Sequence, residues 1–151
     1  MNQCGDCTLC CKLLGVRELA KPPMQWCQHC SIGVGCRIYE RRPNECRNFD
    51  CLWLLNQTQD LLNELKPSEC HVVLSDLQTE INKTLPGLEI DDRRIMLVYV
   101  DPDYPNAHKV GKMKEFLDEL LSNGTELVIV NKGKKLLMKW GSVMDDEGLT
   151  S

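Results

Sequence analysis

VGKMKEFLDELLSNGTELVIV, residues 110–130, joins two hydrophobic rhythms. Apolar residues at 110, 113, 116, 117, 120 and 121 recur at the spacing of one helix face. Gly124 stands where such a helix ends in a left-handed residue. TELVIV then reads as a strand, NKG as a turn, and KKLLMKW, 134–140, as a returning strand. Upstream, RIMLVYV, 94–100, is a strand closed by the turn residues of DPDYP, and HVVLSDL from 71 is another. A strand, helix, strand succession predicts a parallel pair joined by a right-handed crossover, with the last strand added as a hairpin.

The first third of the chain has a different character. Residues 12–35 lack regular patterning and contain KPP at 21–23 and GVG at 33–35, which predicts irregular loops in need of an external staple. CRIYERR, 36–42, fits a helical turn stopped by Pro43, and LWLLNQTQDLLNEL, 52–65, fits a linking helix ended by Pro67. The expected class is α+β: an irregular cysteine-rich metal-binding lobe over 1–53, packed on a small α/β unit over 54–141. That unit would hold a sheet of three or four strands and one main helix. Residues 142–151 are polar and acidic and read as a flexible tail, the remainder forming one compact unit. There is no internal repeat.

The 151 residues carry a net charge of −4. Seven Lys/Arg against five Asp/Glu in residues 1–53 leave eleven against seventeen in the rest, so the first third is mildly basic and the remainder acidic. No basic stripe marks a nucleic-acid binder. No apolar run reaches the roughly 18 residues of a membrane span, and MNQCGDC lacks the charged and apolar regions of a signal peptide. A cytoplasmic protein is expected, with no nucleic acid and no membrane as partner; a protein partner is compatible with the sequence but unspecified.

In a reducing compartment clustered cysteines point to metal rather than to disulfides, with regulatory disulfides or inert buried thiols as the alternatives. Of ten cysteines, nine lie at 4, 7, 10, 11, 27, 30, 36, 46 and 51, and Cys70 stands apart. Two cysteines separated by two residues can turn both sulfurs toward one ion. This spacing occurs at Cys4 and Cys7, Cys7 and Cys10, and Cys27 and Cys30. Adjacent Cys10 and Cys11 are expected to diverge and serve two sites, or to include one bridging sulfur, with Cys36, Cys46 and Cys51 completing the shells. Eight thiolates around two divalent ions leave surplus negative charge, which Lys12, Arg37, Arg41, Arg42 and Arg47 lie close enough in sequence to offset.

CGDCTLCC at 4–11, CQHC at 27–30 and CRIYERRPNECRNFDCLWL from 36 resemble the YkgJ-like cysteine-cluster proteins, whose label is zinc or iron chelation. PSECHVVL and the DP turn before the last helix are similar to short members as well. The resemblance implies metal binding through Cys4, Cys7, Cys10, Cys11, Cys27, Cys30, Cys36, Cys46 and Cys51, and names no reaction. Some relatives are associated with methylation of flagellin lysines, but this chain has no glycine-rich strand-to-helix turn for a methyl donor.

Three functions follow as expectations. The first is a binding or regulatory module with two structural zinc ions; the second an iron-sulfur protein for electron transfer or sensing; the third a metal-dependent enzyme of unstated reaction. Zinc is favoured because abundant sulfur suits two closed sites and no proline follows the fourth cysteine as in bacterial ferredoxins. His29 is read as a surface or supporting residue, and His71 and His108 as structural. Asp101 and Asp103 are read as turn formers, Cys70 as a small buried hydrophobe, and Trp26, Trp53 and Trp140 as cover for apolar surface.

Overall fold

The computed structural model describes residues 7–47, 51–56, 60–85, 94–132 and 134–139. Cys4, Trp140 and the expected tail lie outside the described residues. The first element among the described residues is α1, Leu9–Leu13, followed by a 3-10 turn, Arg17–Leu19, and a short antiparallel hairpin of β1, Cys30–Ser31, and β2, Gly35–Cys36. A second 3-10 turn, Tyr39–Arg41, occupies the expected turn before Pro43, and α2, Asn44–Arg47, follows it. Then come α3, Leu52–Leu55; α4, Asp60–Asn63; α5, Pro67–Cys70; β3, Val72–Ser75; and α6, Gln78–Thr84. The chain continues through β4, Ile95–Val100, a 3-10 turn at Ala107–Lys109, α7, Gly111–Ser122, β5, Glu126–Asn131, and β6, Lys134–Met138.

The protein is mixed α+β, and its main sheet has four strands in the order β3-β4-β5-β6. β4 and β5 are parallel, with Ile95 opposite Glu126 and Tyr99 opposite Val130. α7 connects them, and β6 returns as an antiparallel hairpin. β3 adds to the other side of β4, antiparallel, with Val72 opposite Val100.

Strand alternation sends side chains to two faces, and both are covered. On one face Val72, Leu74, Met96, Val98, Val100, Leu127 and Ile129 meet Met113, Phe116, Leu117 and Leu121 of α7. On the other, Val73, Leu97, Tyr99 and Val128 meet Leu9 and Leu13 of α1, Trp53 of α3 and Ile81 of α6. Continuous burial along β4 is the signature of a strand sandwiched from both sides. The amino-terminal segment is therefore part of the layer that buries one face of the sheet.

The face of α7 read from spacing is the buried one, except that Val110 precedes the helix and is 60% exposed. At its end Asn123 is the cap and Gly124 takes φ +87°. The Gly124 amide donates to Leu121 O at 3.0 Å and the Thr125 amide to Leu120 O at 3.0 Å, the paired closure of a Schellman motif. A Cβ at Gly124 would lie 3.1 Å from Arg94 Nη2. Gly124→Ala is expected to cost about 1 kcal/mol, because an L residue is strained in this region. The urea midpoint checks it, and an unchanged midpoint would contradict the account.

The single helix expected over 52–65 is broken. α3 ends at Leu55, and Asn56 takes an extended ψ of 135°. Asn56 Nδ2 donates to Asn63 Oδ1 at 2.9 Å and Trp53 Nε1 donates to Asn63 O at 3.2 Å, so polar side chains fold the second helical piece back on the first. Leu55 is left 40% exposed, while Trp53 is buried. Among the described residues no helix is long and apolar enough to cross a membrane.

Candidate metal centre

The hairpin around Cys27–Cys36 gathers three of the cysteines. Between Cys27 and Cys30 the chain turns, with the Cys30 amide donating to Cys27 O at 3.0 Å. The His29 amide points at Cys27 Sγ, 3.4 Å away, an N–H to sulfur contact that favours thiolate. Cys36 is placed by strand register directly opposite Cys30. Gly33, at the hairpin tip, takes φ +74°, which a side chain would resist. Its amide donates to Thr8 Oγ1 at 3.0 Å, tying the tip to the start of α1.

The α1 segment supplies the other edge. The Cys27 amide donates to Cys11 O at 3.0 Å, so the two cysteine segments lie side by side. The Cys11 thiol interacts with both Cys10 and Cys30, and Cys46 interacts with Cys11, Cys27 and Cys36. Cys10, Cys11, Cys27, Cys30, Cys36 and Cys46 thus share one region. Among the described residues, however, no three His, Cys, Asp or Glu side chains are disposed as a ready-made ion shell. Adjacent Cys10 and Cys11 interact with each other rather than simply diverging.

Cys51 is buried in the layer against the sheet, beside Leu9, Leu13 and Trp53. Cys7 interacts with Cys70, which the folding of α5 against α1 returns toward the amino terminus. Cys70 Sγ lies 3.5 Å from Leu65 O and 3.6 Å from Val72 O, two acceptors between which a protonated thiol can place its single S–H. The described cysteines are thiols rather than disulfides.

Crowding governs the electrostatics. Cys11 is pushed far above the ordinary thiol value, first by its contact with Cys10 and then by burial. Burial, with Cys11 nearby, pushes Cys30 up to about 12. Burial and then Cys11, Cys27 and Cys36 push Cys46 up to about 11, against the opposing pull of Arg42. Thiols packed this closely hold one another protonated, and a divalent cation among them would reverse that preference by displacing the protons.

Lys21, which spacing did not single out, is a cation of this region. It is half-buried and interacts with Cys27, Cys11, Cys46 and Cys10; burial lowers its pKa while those sulfurs oppose the shift. Its Nζ donates to Lys12 O at 3.2 Å, to Pro22 O at 3.1 Å and to Leu14 O. It was not legible as a neighbour because it lies six residues from the nearest cysteine and arrives through the loop closed by Val16 and Lys21. Arg42 lies beside Cys46 as expected, and Arg37 donates to Gln28 O within the knuckle.

Lys12 departs from the expectation. Although it follows Cys11, its Nζ donates to Asp101 Oδ1 and to Asp103 Oδ2, each at 2.6 Å. Its ammonium also lies 5.7 Å from the centre of the Trp26 ring. Asp101 and Asp103 do form the expected turn, with the Asp103 amide donating to Asp101 Oδ1 at 3.0 Å, and they also anchor the cysteine segment to the end of β4. His29 supports Cys27 through its amide, and His108 is buried, 2% exposed. Trp53 covers apolar surface as expected, whereas Trp26 is 37% exposed.

No family model, no curated protein and no solved structure matches the chain.

Proposed function

We propose that this protein is a cysteine-thiolate metal protein, with zinc as its structural metal and about two ions held by the amino-terminal cysteines. The observation that carries this reading is the convergence on Cys11: the Cys27–Cys30 knuckle, the register partner Cys36, and Cys46 all come to the α1 segment that bears Cys10 and Cys11. The donor set is soft and fits zinc, and a binuclear arrangement would use Cys10, Cys11, Cys27, Cys30, Cys36 and Cys46 with further sulfur from Cys4, Cys7 or Cys51. Closed thiolate sites of this kind fix loops, which suits a binding or regulatory module in the cytoplasm and matches the YkgJ-like resemblance of the motif. Lys21 and Arg42 supply positive charge against surplus thiolate.

Metal analysis and a visible spectrum on one sample, purified without oxygen, test the proposal. A colourless protein with about two zinc ions is expected. Brown protein with charge-transfer absorption would replace zinc by an iron-sulfur cluster, and a metal-free, folded protein would remove the reading altogether. Because Cys11 contacts sulfurs on both segments, Cys11→Ser is expected to lose most of the metal, whereas Cys36→Ser loses about one ion. Full metal content in Cys11→Ser would refute a centre built around it.

A further inference from the structure

We propose that the cleft at the carboxyl end of β4 is a binding site for a small organic cation, an ammonium group on an apolar or aromatic body. This goes beyond the metal reading and does not depend on it. The cleft has a volume of about 590 Å³, within the usual range of small-molecule pockets. It lies where β4 ends and the chain departs through α7 to the parallel strand β5, while antiparallel β3 flanks β4 on its other side. Such strand ends are where open sheets with parallel pairs leave a crevice for ligands.

One wall is aromatic and held in place. Tyr104 stacks on His71 with ring centres 3.5 Å apart and planes 7° from parallel. The Tyr104 amide donates to Asp101 O at 2.8 Å, the Ala107 amide to Tyr104 O at 3.0 Å, and the Asp101 amide to His71 O at 3.0 Å. Tyr104 is nevertheless 49% exposed. An ordered ring facing solvent can contact a ligand with little further loss of freedom. Leu65, Ala107, Val110 and Met113 supply apolar lining.

The charge of the lining selects the ligand. Lys112 lies 2.6 Å from Glu64, so these two offset each other, and Glu69 adds an exposed carboxylate. A cation gains both the ring face and that carboxylate; an anion is repelled by both. An apolar body then fills the remainder of the cleft.

Phenethylammonium titrated into the full chain, followed through backbone amide NMR signals, tests the site. Saturable shifts are expected in residues 104–113, with affinity at least about threefold above that of the neutral isostere 2-phenylethanol. Phenylacetate is expected to bind more weakly than either. Glu69→Gln, on an exposed residue, should remove most of the preference for the ammonium, and Tyr104→Leu should weaken both the ammonium and the alcohol. Equal binding of ammonium and alcohol, tighter binding of phenylacetate, shifts mapping elsewhere, or no saturable shift with the ammonium would overturn the proposal. A protein that holds metal but fails this titration loses the cleft assignment alone; one that binds the ammonium but no metal loses the metal centre alone.

Discussion

Lys12→Ala is expected to lower folding stability by about 3–5 kcal/mol, the usual cost of stripping one partner from a buried ion pair. The cause is Asp101, 4% exposed, whose carboxylate would lose its 2.6 Å ammonium contact in a site shut off from water. Asp103 is much less sensitive, since its side chain is 76% exposed and water can replace the lysine. Urea unfolding of Lys12→Ala, Asp103→Asn and the double variant Lys12→Ala/Asp101→Asn separates these contributions. The double variant should regain part of the loss because it no longer buries a lone charge. A loss below about 1 kcal/mol for Lys12→Ala would mean that the pair behaves as a surface contact. Burial works against the Lys12 charge, but Asp101 and Asp103 outweigh it and hold the pKa above its ordinary value. The stabilisation is therefore complete below the unfolded value of about 10.4 and is lost as pH rises through the higher folded value.

That ion pair also marks the limit of what spacing can say. Lys12 reads as a cation for the sulfur cluster because it adjoins Cys11, yet its partner Asp101 comes from eighty-nine positions further along the chain. Long-range partners of this kind leave no local signature. Strong periodicity makes β4, α7, β5 and β6 legible in their order, with Gly124 closing α7. Local structure that rests on polar contacts is not legible in this way. α6, for which spacing offers no reading, presents Ile81 to the core with Leu77 and Leu85 packed at its ends, and polar contacts tie it further: the Tyr99 hydroxyl meets Thr84 Oγ1 at 2.9 Å and Glu80 Oε2 at 3.3 Å, and Lys135 Nζ donates to Thr84 O at 2.6 Å. The break after Leu55 similarly depends on Asn56 finding Asn63. The turn between Cys27 and Cys30 is legible in their spacing, but the electrostatic influence of Cys7 on Cys70 depends on α5 packing on α1.

Removing the proposed metal is expected to unfold more than the cysteine segment. Structural zinc in small domains contributes on the order of 10–16 kcal/mol of apparent binding free energy at neutral pH, which is folding free energy when the empty site cannot hold its shape. In this protein the same segment carries Leu9, Leu13 and Leu14 onto the sheet face formed by Val73, Leu97, Tyr99 and Val128. Burying each such leucine is worth about 1.5–3 kcal/mol. Losing all three would remove an amount comparable with the net stability of a whole small domain, about 5–15 kcal/mol. Chelation should therefore expose both the hairpin of β1 and β2 and the central strand β4. Hydrogen exchange read by mass spectrometry, before and after a strong chelator, measures this directly. Protection lost in residues 7–47 and sharply reduced in 95–100 is the expected pattern. Protection lost in 7–47 but retained in 95–100 would show that α7 and the remaining sheet contacts stabilise β4 alone, and that covering this face is dispensable. Native protection throughout the chelated protein would mean that packing of α1 on the sheet, rather than metal, holds the cysteine loops.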